Sequence, residues 1–402
     1  MQLTSGSLII RAMAVKASFH DIEHQWHVGK IFQFCYQIIF VRLFKKILAF
    51  CAVDHLQKVG KRAFMKQREH GGNSDLAALR LNCDVADILD LSTGISPIVY
   101  PAGNIRAECW NRLPTHSQLE QCLLAARRAY DVPNHLDIMA GSGTQSLLQF
   151  IPKLIVPNGP VWIEQPSYNE HCPAWEAAGH QAITRTDKNI SVENCKSFVF
   201  VAPNNPTGDD NRARIIEVAY QCGVSGGLVL IDGAFAMPKD ADSLAASLIH
   251  SLGNQPNVIH LRSFGKFFGM AGLRLGFAIG APELINQLSE DAGPWAVSSV
   301  ALKIGAGALD DTLWQQQHER FLTAQSKRLR EMLQNAGLPI RGGTALFQTI
   351  QHKAAHNLHD HLAADAILTR KYSNWQDLLR FGLPANDVEF ERLEKTINNW
   401  RQ

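Results

Sequence analysis

Residues 258–279 read VIHLRSFGKFFGMAGLRLGFAI, the stretch that points most directly to the fold. Two short apolar runs, residues 258–262 and 275–279, flank a segment rich in glycine and phenylalanine. Short runs of β-branched or aromatic residues that end at Gly or Ser are typical of buried strands. We therefore predict two strands joined by a tight turn that carries Lys266.

The same pattern recurs earlier in the chain. Apolar runs at residues 161–164 (VWIE), 197–202 (SFVFVA) and 228–232 (LVLID) alternate with helical candidates at residues 212–222 and 241–252. Strands that alternate with helices form a mostly parallel sheet covered on both faces. The sequence thus predicts an α/β protein, and its 402 residues predict two or three domains.

Polar clusters follow four of these runs. They are PSY at residues 166–168, PNNPTG at 203–208, Asp232 itself, and SFGK at 263–266. Ligands of parallel sheets bind at the carboxyl ends of the strands. If the strands are parallel, the four clusters meet at one edge of the sheet, which we predict to be the active site.

Lys266 is the candidate reactive group. Most lysines are solvated surface residues, but apolar neighbours would desolvate this ammonium group and lower its pKa, as a Schiff-base lysine requires. Ser263 and Arg274 offer a hydroxyl and a guanidinium fork to a phosphate. The GSGTQ segment at residues 141–145, before a predicted helical run at 146–154, offers backbone N–H groups to an anion, although a glycine-rich turn alone is a weak signal.

Asp232 ends an apolar strand, where a carboxylate could be a helix cap or a turn residue. Below a pyridine ring, the same carboxylate would keep the ring nitrogen protonated and make the ring an electron sink. Both interpretations are open from the residue alone.

Composition limits the alternatives. The chain is 46% apolar and 19% charged, as globular proteins usually are. A formal net charge of +2 shows no large basic excess, so we predict no nucleic-acid partner. The eight cysteines include no C-x-x-C pair, which favours reduced thiols in a cytoplasmic protein and gives no reason to predict a metal site.

Residues 1–64 differ from the rest. They hold nine Lys/Arg and three Asp/Glu, whereas the remainder holds 30 and 34. The apolar segment 31–51 contains Arg42, Lys45 and Lys46, too many charges for a membrane span. It could be an interfacial amphipathic helix, a structural extension, or sequence upstream of a true start at Met65. We favour the third interpretation and expect no catalytic residue before Met65.

The ordered set GSGTQ, PNNPTG, DGAF, SFGK and RLG resembles the fold-type-I aminotransferases over residues 70–402. The resemblance implies an aspartate-aminotransferase-like fold with pyridoxal 5'-phosphate as cofactor. A large domain with a mostly parallel central sheet would span residues 106–305. A smaller α+β domain would be built from both ends of the core, residues 65–105 and 306–402.

The resemblance also implies a role for each matching residue. Lys266 would carry the cofactor as a Schiff base, and Asp232 would pair with the pyridine nitrogen. The other implied cofactor contacts are Asn205 to the O3′ oxygen, Tyr168 stacked on the ring, and Gly143, Thr144, Ser263 and Arg274 around the phosphate. Arg380 looks like the arginine that binds the substrate α-carboxylate.

Within this family, HGGN at residues 70–73, LDLSTGISP at 89–97, DGAF and PWAVS at 294–298 look like threonine-phosphate decarboxylases of cobalamin biosynthesis. Three residues depart from the pattern: Gly94 and Ser96, where relatives often carry Asn, and Phe235, where many aminotransferases carry Tyr. His70, Gly94 and Arg370 would contact the substrate, Arg370 through a phosphate group. Arg370 could also be a solvated arginine at a helix end.

We therefore expect decarboxylation of L-threonine O-3-phosphate to (R)-1-aminopropan-2-yl phosphate. A histidinol-phosphate-type aminotransferase and a non-catalytic protein of the same fold are the alternatives. The family further implies a homodimer whose site is completed across the interface. Residues 291–301 (DAGPWAVSSVA) combine Pro-Trp with small residues, so we predict that Trp295 lies near both the site and the contact; a tryptophan buried within one chain fits them equally well. No membrane partner is expected, with residues 1–64 left open.

Overall fold

The computed structural model describes residues 70–157, 159–185, 195–224, 226–238, 244–252 and 254–400. The predictions for residues 1–64 lie outside the described residues. None of the described helices combines the length and the apolar character that a membrane span requires.

The described residues form thirteen strands and thirteen α-helices. The strands are β1 (Leu89–Asp90), β2 (Asp137–Gly141), β3 (Val161–Glu164), β4 (Ala182–Arg185), β5 (Ser197–Val201), β6 (Val229–Asp232), β7 (Val258–Ser263), β8 (Gly276–Gly280), β9 (Ile340–Thr344), β10 (Phe347–Gln351), β11 (Ile367–Leu368), β12 (Arg370–Tyr372) and β13 (Trp375–Gly382). The helices are α1 (Ser74–Leu81), α2 (Glu108–Asn111), α3 (His116–Ala129), α4 (Thr144–Leu147), α5 (His171–Ala177), α6 (Arg212–Val224), α7 (Leu244–Leu252), α8 (Phe264–Phe267), α9 (Pro282–Ala292), α10 (Ser299–Asp310), α11 (Thr312–Asn335), α12 (Ala355–Ala364) and α13 (Asp387–Asn398).

The central sheet has seven strands in the order β2-β8-β7-β6-β5-β3-β4. Strands β3 to β7 pair in parallel, whereas β8 is antiparallel to both β7 and β2. Strands β3, β5 and β6 are buried along their whole length, as expected for a sheet covered on both faces. The predicted α/β class with a mostly parallel sheet is confirmed, with β8 as the exception.

The predicted helical run at residues 146–154 is interrupted. Helix α4 ends at Leu147, and a separate 3₁₀ turn follows at Ile151–Leu154. Pro152 lies inside that turn, and a proline ring would clash with the carbonyl four residues earlier in a continuous helix. The predictions at 212–222 and 241–252 correspond to α6 and α7.

Two smaller sheets lie outside the central one. An antiparallel sheet has the order β12-β13-β10-β9, and β1 pairs in parallel with β11. The second pairing joins residues near the start of the described chain to residues near its end. The proposed domain boundaries at residues 105 and 305 stay predictions.

Candidate active site

A cavity of about 400 Å³ opens at the carboxyl ends of β3, β5, β6 and β7. Eleven of the twelve predicted site residues line it: His70, Gly143, Thr144, Tyr168, Asn205, Asp232, Ser263, Lys266, Arg274, Arg370 and Arg380. Gly94, the twelfth, lies beside two of the lining side chains, Phe235 and Arg380. Topology explains the convergence, because parallel strands end at a common edge.

The antiparallel direction of β8 brings Arg274 to this edge. Ser263 at the end of β7 pairs with Gly276 at the start of β8, so the chain returns to the same edge before β8 begins. A Cβ atom on Gly143 would lie 2.6 Å from an Arg274 guanidinium nitrogen, and Gly143 has a φ of +77°. Glycine is therefore needed at position 143, and the backbone there stays open beside Arg274.

Lys266 lies in the wall of the cavity. Its Nζ donates to the Thr93 carbonyl oxygen at 3.0 Å and sits 5.1 Å from the centre of the Phe235 ring. Burial and the nearby Arg380 lower the pKa of Lys266 to about 7, although Asp232 acts in the opposite direction. A large share of this amine is therefore neutral near pH 7, and the neutral form is the nucleophile.

Asp232 is buried, with 3% of its surface exposed. One carboxylate oxygen accepts the Ala234 N–H at 3.0 Å, and the other accepts the Nε2–H of His171 at 3.0 Å. His171 is fully buried at the start of α5. Asp232 therefore closes its own turn and also faces the cavity, whereas its pairing with a pyridine nitrogen stays a prediction.

His171 was not among the residues predicted for the site. Its position shortly after the PSY turn of β3 was the available signal, since that turn was already placed at the edge of the sheet. The contact itself joins two distant segments, which periodicity does not report.

Arg380 is oriented by several groups. One guanidinium nitrogen donates to the Asn205 side-chain oxygen, and another donates to the Ser92 carbonyl oxygen at 2.6 Å. The guanidinium also lies over the rings of Phe235 and Phe347, at 5.5 and 5.1 Å from their centres. Because its oxygen already accepts from Arg380, the Asn205 side chain has its NH2 group left to donate.

Arg370 and Arg380 are cross-strand partners in the pairing of β12 with β13. Both are buried, at 8% and 4% exposure, and both line the cavity. Like charges directly opposite each other on a sheet are destabilising unless something of opposite charge compensates them. With Lys266 and Arg274 also present, the cavity is suited to anions.

A chain of polar side chains forms another wall. The Tyr168 hydroxyl donates to the Gln145 side-chain oxygen at 3.0 Å, and Gln145 donates in turn to Glu170 at 3.5 Å. The other Glu170 oxygen lies 2.9 Å from Nε2 of His70. Burial and Glu170 raise the pKa of Tyr168 to about 12, so its phenol stays protonated. Gln145 and Glu170 were not predicted as site residues.

Two departures from the family pattern fit each other in space. Gly94 has a φ of +61°, and a Cβ atom there would lie 2.9 Å from the Phe235 ring and 3.6 Å from the Arg380 guanidinium carbon. The Phe235 ring thus occupies the room that a side chain at position 94 would need. A side chain at position 94 would have to displace the Phe235 ring.

Trp295 does not line this cavity. Its side chain lines a second, mostly apolar cavity together with Pro114 and Leu119. The nearest described link to the site is the Ser142 hydroxyl, which donates to the Ala296 carbonyl oxygen at 2.5 Å beside Gly143. The expectation that Trp295 lies near the site therefore holds only through its neighbours along the chain.

The family Aminotransferase class I and II matches residues 113–389. The chain is 37% identical to a threonine-phosphate decarboxylase of Pseudomonas aeruginosa, over 83% of this chain and 98% of that protein. It is 36% identical to a threonine-phosphate decarboxylase of a Sinorhizobium species, over 82% and 97%. Its fold is similar to that of histidinol-phosphate aminotransferase from Sinorhizobium meliloti in complex with pyridoxal-5'-phosphate, with a TM-score of 0.69, 20% identity, and coverage of 84% and 96%.

Proposed function

Because the chain belongs to the aminotransferase class I and II family, we propose that it is a pyridoxal-phosphate enzyme that decarboxylates L-threonine O-3-phosphate. The products would be CO₂ and (R)-1-aminopropan-2-yl phosphate, which the resemblance links to cobalamin biosynthesis. The observation that carries the proposal is the buried Arg370–Arg380 pair beside Lys266, because the substrate bears two separate anionic groups.

The residues present fit the cofactor. The open backbone at Gly143 and Thr144, the Ser263 hydroxyl and the Arg274 guanidinium would hold its phosphate. Asp232 would pair with the pyridine nitrogen, Asn205 would donate to O3′, and Tyr168 would contact the ring face. When bound, the cofactor would supply an electron sink for the charge that develops at the substrate Cα.

The chain's own residues would hold the substrate at both ends. Arg380, already oriented by Asn205 and Ser92, would bind the α-carboxylate. Arg370 on the neighbouring strand and His70 at the cavity wall would bind the phosphate. Gly94 would let Phe235 and Arg380 pack closely beside it. Two fixed anchors set the rotation of the substrate about its Cα bonds, which decides the bond that breaks.

Lys266 would move the proton. When the carboxylate leaves as CO₂, its bonding electron pair remains with the Cα carbon, which then takes up one proton. The Lys266 amine is suited to deliver that proton, because its pKa of about 7 lets it exchange protons at neutral pH.

The direct test is to incubate the purified protein, loaded with pyridoxal phosphate, with L-threonine O-3-phosphate and to measure CO₂ and the amine product. We expect stoichiometric release of both. A 2-oxo acid product formed only with an amino acceptor would indicate an aminotransferase. If neither CO₂ nor a 2-oxo acid forms, with or without an amino acceptor, the non-catalytic alternative is favoured.

Arg370→Met is expected to raise KM for threonine phosphate about 10- to 100-fold, since a charge-assisted hydrogen bond contributes about 1.5–3 kcal/mol. Steady-state kinetics with CO₂ detection would measure it. Arg341→Met is the matched control, because Arg341 pairs with Asp209 and does not line the cavity. An unchanged KM in Arg370→Met would contradict the phosphate role.

We also propose that the enzyme is a cytoplasmic homodimer. The six described cysteines are free thiols, as in proteins of reducing compartments. Trp110, Leu113 and Trp295 are each at least 60% exposed, and tryptophan is enriched at the centres of interfaces. A C2 dimer is also the commonest soluble assembly.

Light scattering of the purified protein is expected to give twice the chain mass. Trp295→Ala should weaken association and, with it, activity, and both should recover together as protein concentration rises. A fully active monomer at nanomolar concentration would rule out a site shared between two copies.

A further inference from the structure

The turn that carries Lys266 is a helix of only four residues, α8. So short a helix leaves its carbonyl groups without partners inside the helix. Three consecutive carbonyl oxygens, those of Lys266, Phe267 and Phe268, accept hydrogen bonds from other segments of the chain. The Lys266 oxygen accepts Ser96 N–H at 2.9 Å, the Phe267 oxygen accepts His318 Nε2–H at 3.1 Å, and the Phe268 oxygen accepts Tyr100 N–H at 3.0 Å.

His318 belongs to α11, a long helix far along the chain from both other segments. Its Nε2 lies 3.1 Å from the Phe267 oxygen and 2.9 Å from the Ser96 hydroxyl oxygen. A carbonyl oxygen can only accept, so Nε2 carries the hydrogen. The Ser96 hydroxyl donates to the Ile98 carbonyl oxygen at 2.9 Å, so it accepts from His318 as well. One imidazole N–H thus ties the Lys266 turn to the segment around Ser96.

The imidazole is held in one orientation. It stacks on the Trp314 ring at 4.3 Å and meets the Phe267 ring edge at 5.1 Å, with 4% of the residue exposed. Burial lowers the pKa of His318 to about 4, so the ring is neutral at ordinary pH. A neutral ring with its hydrogen on Nε2 can keep both contacts without burying a charge.

The segment at residues 93–96, which His318 contacts through Ser96, also binds the reactive amine. Thr93, three residues before Ser96, supplies the carbonyl oxygen to which Lys266 Nζ donates. The side chain and the main chain of Lys266 therefore rest on the same segment. Loosening that segment would move the amine relative to Asp232 and Arg380, although His318 touches none of them in the described contacts.

We infer that His318 is a positioning residue for Lys266, acting through the Phe267 carbonyl oxygen and the Ser96 hydroxyl. The inference deepens the proposed function and rests on it for the role of Lys266. Ser96, a departure from the family pattern in the sequence, has a place in this arrangement as a second acceptor of the His318 N–H.

The test compares His318→Leu, which removes the donor, with His318→Gln, which offers an amide N–H in its place. The control is His180→Leu, because His180 is also buried, also contacts a backbone carbonyl, that of Pro152 at 2.7 Å, and also packs on a tryptophan. His180 lies away from the Lys266 turn, so its loss reports general destabilisation alone.

Hydrogen exchange of the full-length protein as purified is the first measurement. We expect the Ser96 and Tyr100 amides to exchange about tenfold faster or more in His318→Leu, because two acceptors lose their shared donor. Exchange in His318→Gln and His180→Leu should stay near that of the wild type at these two amides. This measurement does not depend on the reaction that the enzyme catalyses.

Kinetics and absorbance of the cofactor-loaded enzyme follow. In His318→Leu we expect kcat to fall about tenfold with KM within twofold, because His318 contacts neither Arg370 nor Arg380 directly and Asn205 still holds Arg380. We also expect a shift in the pH at which the absorbance of the bound cofactor is half changed. His318→Gln should recover most of kcat. If His318→Leu fails to fold, Ser96→Ala removes the hydroxyl that accepts from His318. It should likewise lower kcat and leave KM within twofold.

Wild-type exchange and kcat in His318→Leu would overturn the inference. So would an equal loss of kcat in His180→Leu, which would show that the effect is general. If the wild type itself releases no CO₂ from threonine phosphate, the proposed substrate fails, while the exchange comparison still decides whether His318 fixes the Lys266 turn.

Discussion

Lys266→Ala is expected to abolish turnover and covalent retention of pyridoxal phosphate. The amine is the group that would bond the cofactor and return a proton to the substrate, and loss of general acid–base catalysis alone costs about 10²- to 10⁴-fold in rate. No other lysine among the described residues lines the cavity. Borohydride reduction of the wild type, followed by peptide mapping, should place the pyridoxyl group on Lys266.

Lys327→Ala is the matched control for this variant. Lys327 lies on α11 with 75% of its side chain exposed and pairs only loosely with Glu331 at 3.8 Å. It should keep wild-type turnover and the cofactor label. A label on any lysine other than Lys266, or substantial turnover by Lys266→Ala, would remove the basis of the proposed mechanism.

The central sheet could be predicted because its strands are visible in the sequence as short apolar runs. The direction of each strand could not be predicted in the same way, and β8 proved antiparallel to β7. Parallel neighbours need a long crossover, usually with a full helix, and the connection between β7 and β8 contains only α8 and a 3₁₀ turn at Ala271–Leu273. The shortness of α8 was not evident from the sequence, because glycine and phenylalanine there suit a loop as well as a helical turn.

The site residues carried by motifs could also be predicted, because each motif follows a strand and the strands share an edge. His171 and His318 could not, since each acts through a single contact with a segment distant in sequence. The cross-strand pairing of Arg370 with Arg380 was equally hidden. It depends on the register of β12 against β13, which shifts at Lys371, and no residue pattern encodes such a shift.

Asp232→Asn is expected to lower kcat about 10²- to 10³-fold, the range for losing one fixed electrostatic group that stabilises charge developing in the transition state. The variant separates charge from hydrogen bonding. An asparagine side chain has the same shape, and its oxygen can still accept the Ala234 N–H. Its NH2 group can bond His171 only if the imidazole hydrogen moves from Nε2 to Nδ1, and it cannot hold a proton on a pyridine nitrogen by charge. Thermal stability should therefore change little while kcat falls and the cofactor absorbance shifts.

Asp137→Asn is the matched control, because Asp137 lies on the same sheet at the opposite end of β2 from the cavity and pairs with Arg127 at 2.8 Å. Its loss removes an aspartate charge without touching the site, so kcat should stay near that of the wild type. Retention of activity by Asp232→Asn would show that the carboxylate is only the turn residue that the sequence alone also allowed. A fall in kcat with an unchanged cofactor spectrum would point instead to a displaced His171. A crystal structure of the variant would show whether His171 or the side chain at position 232 had moved.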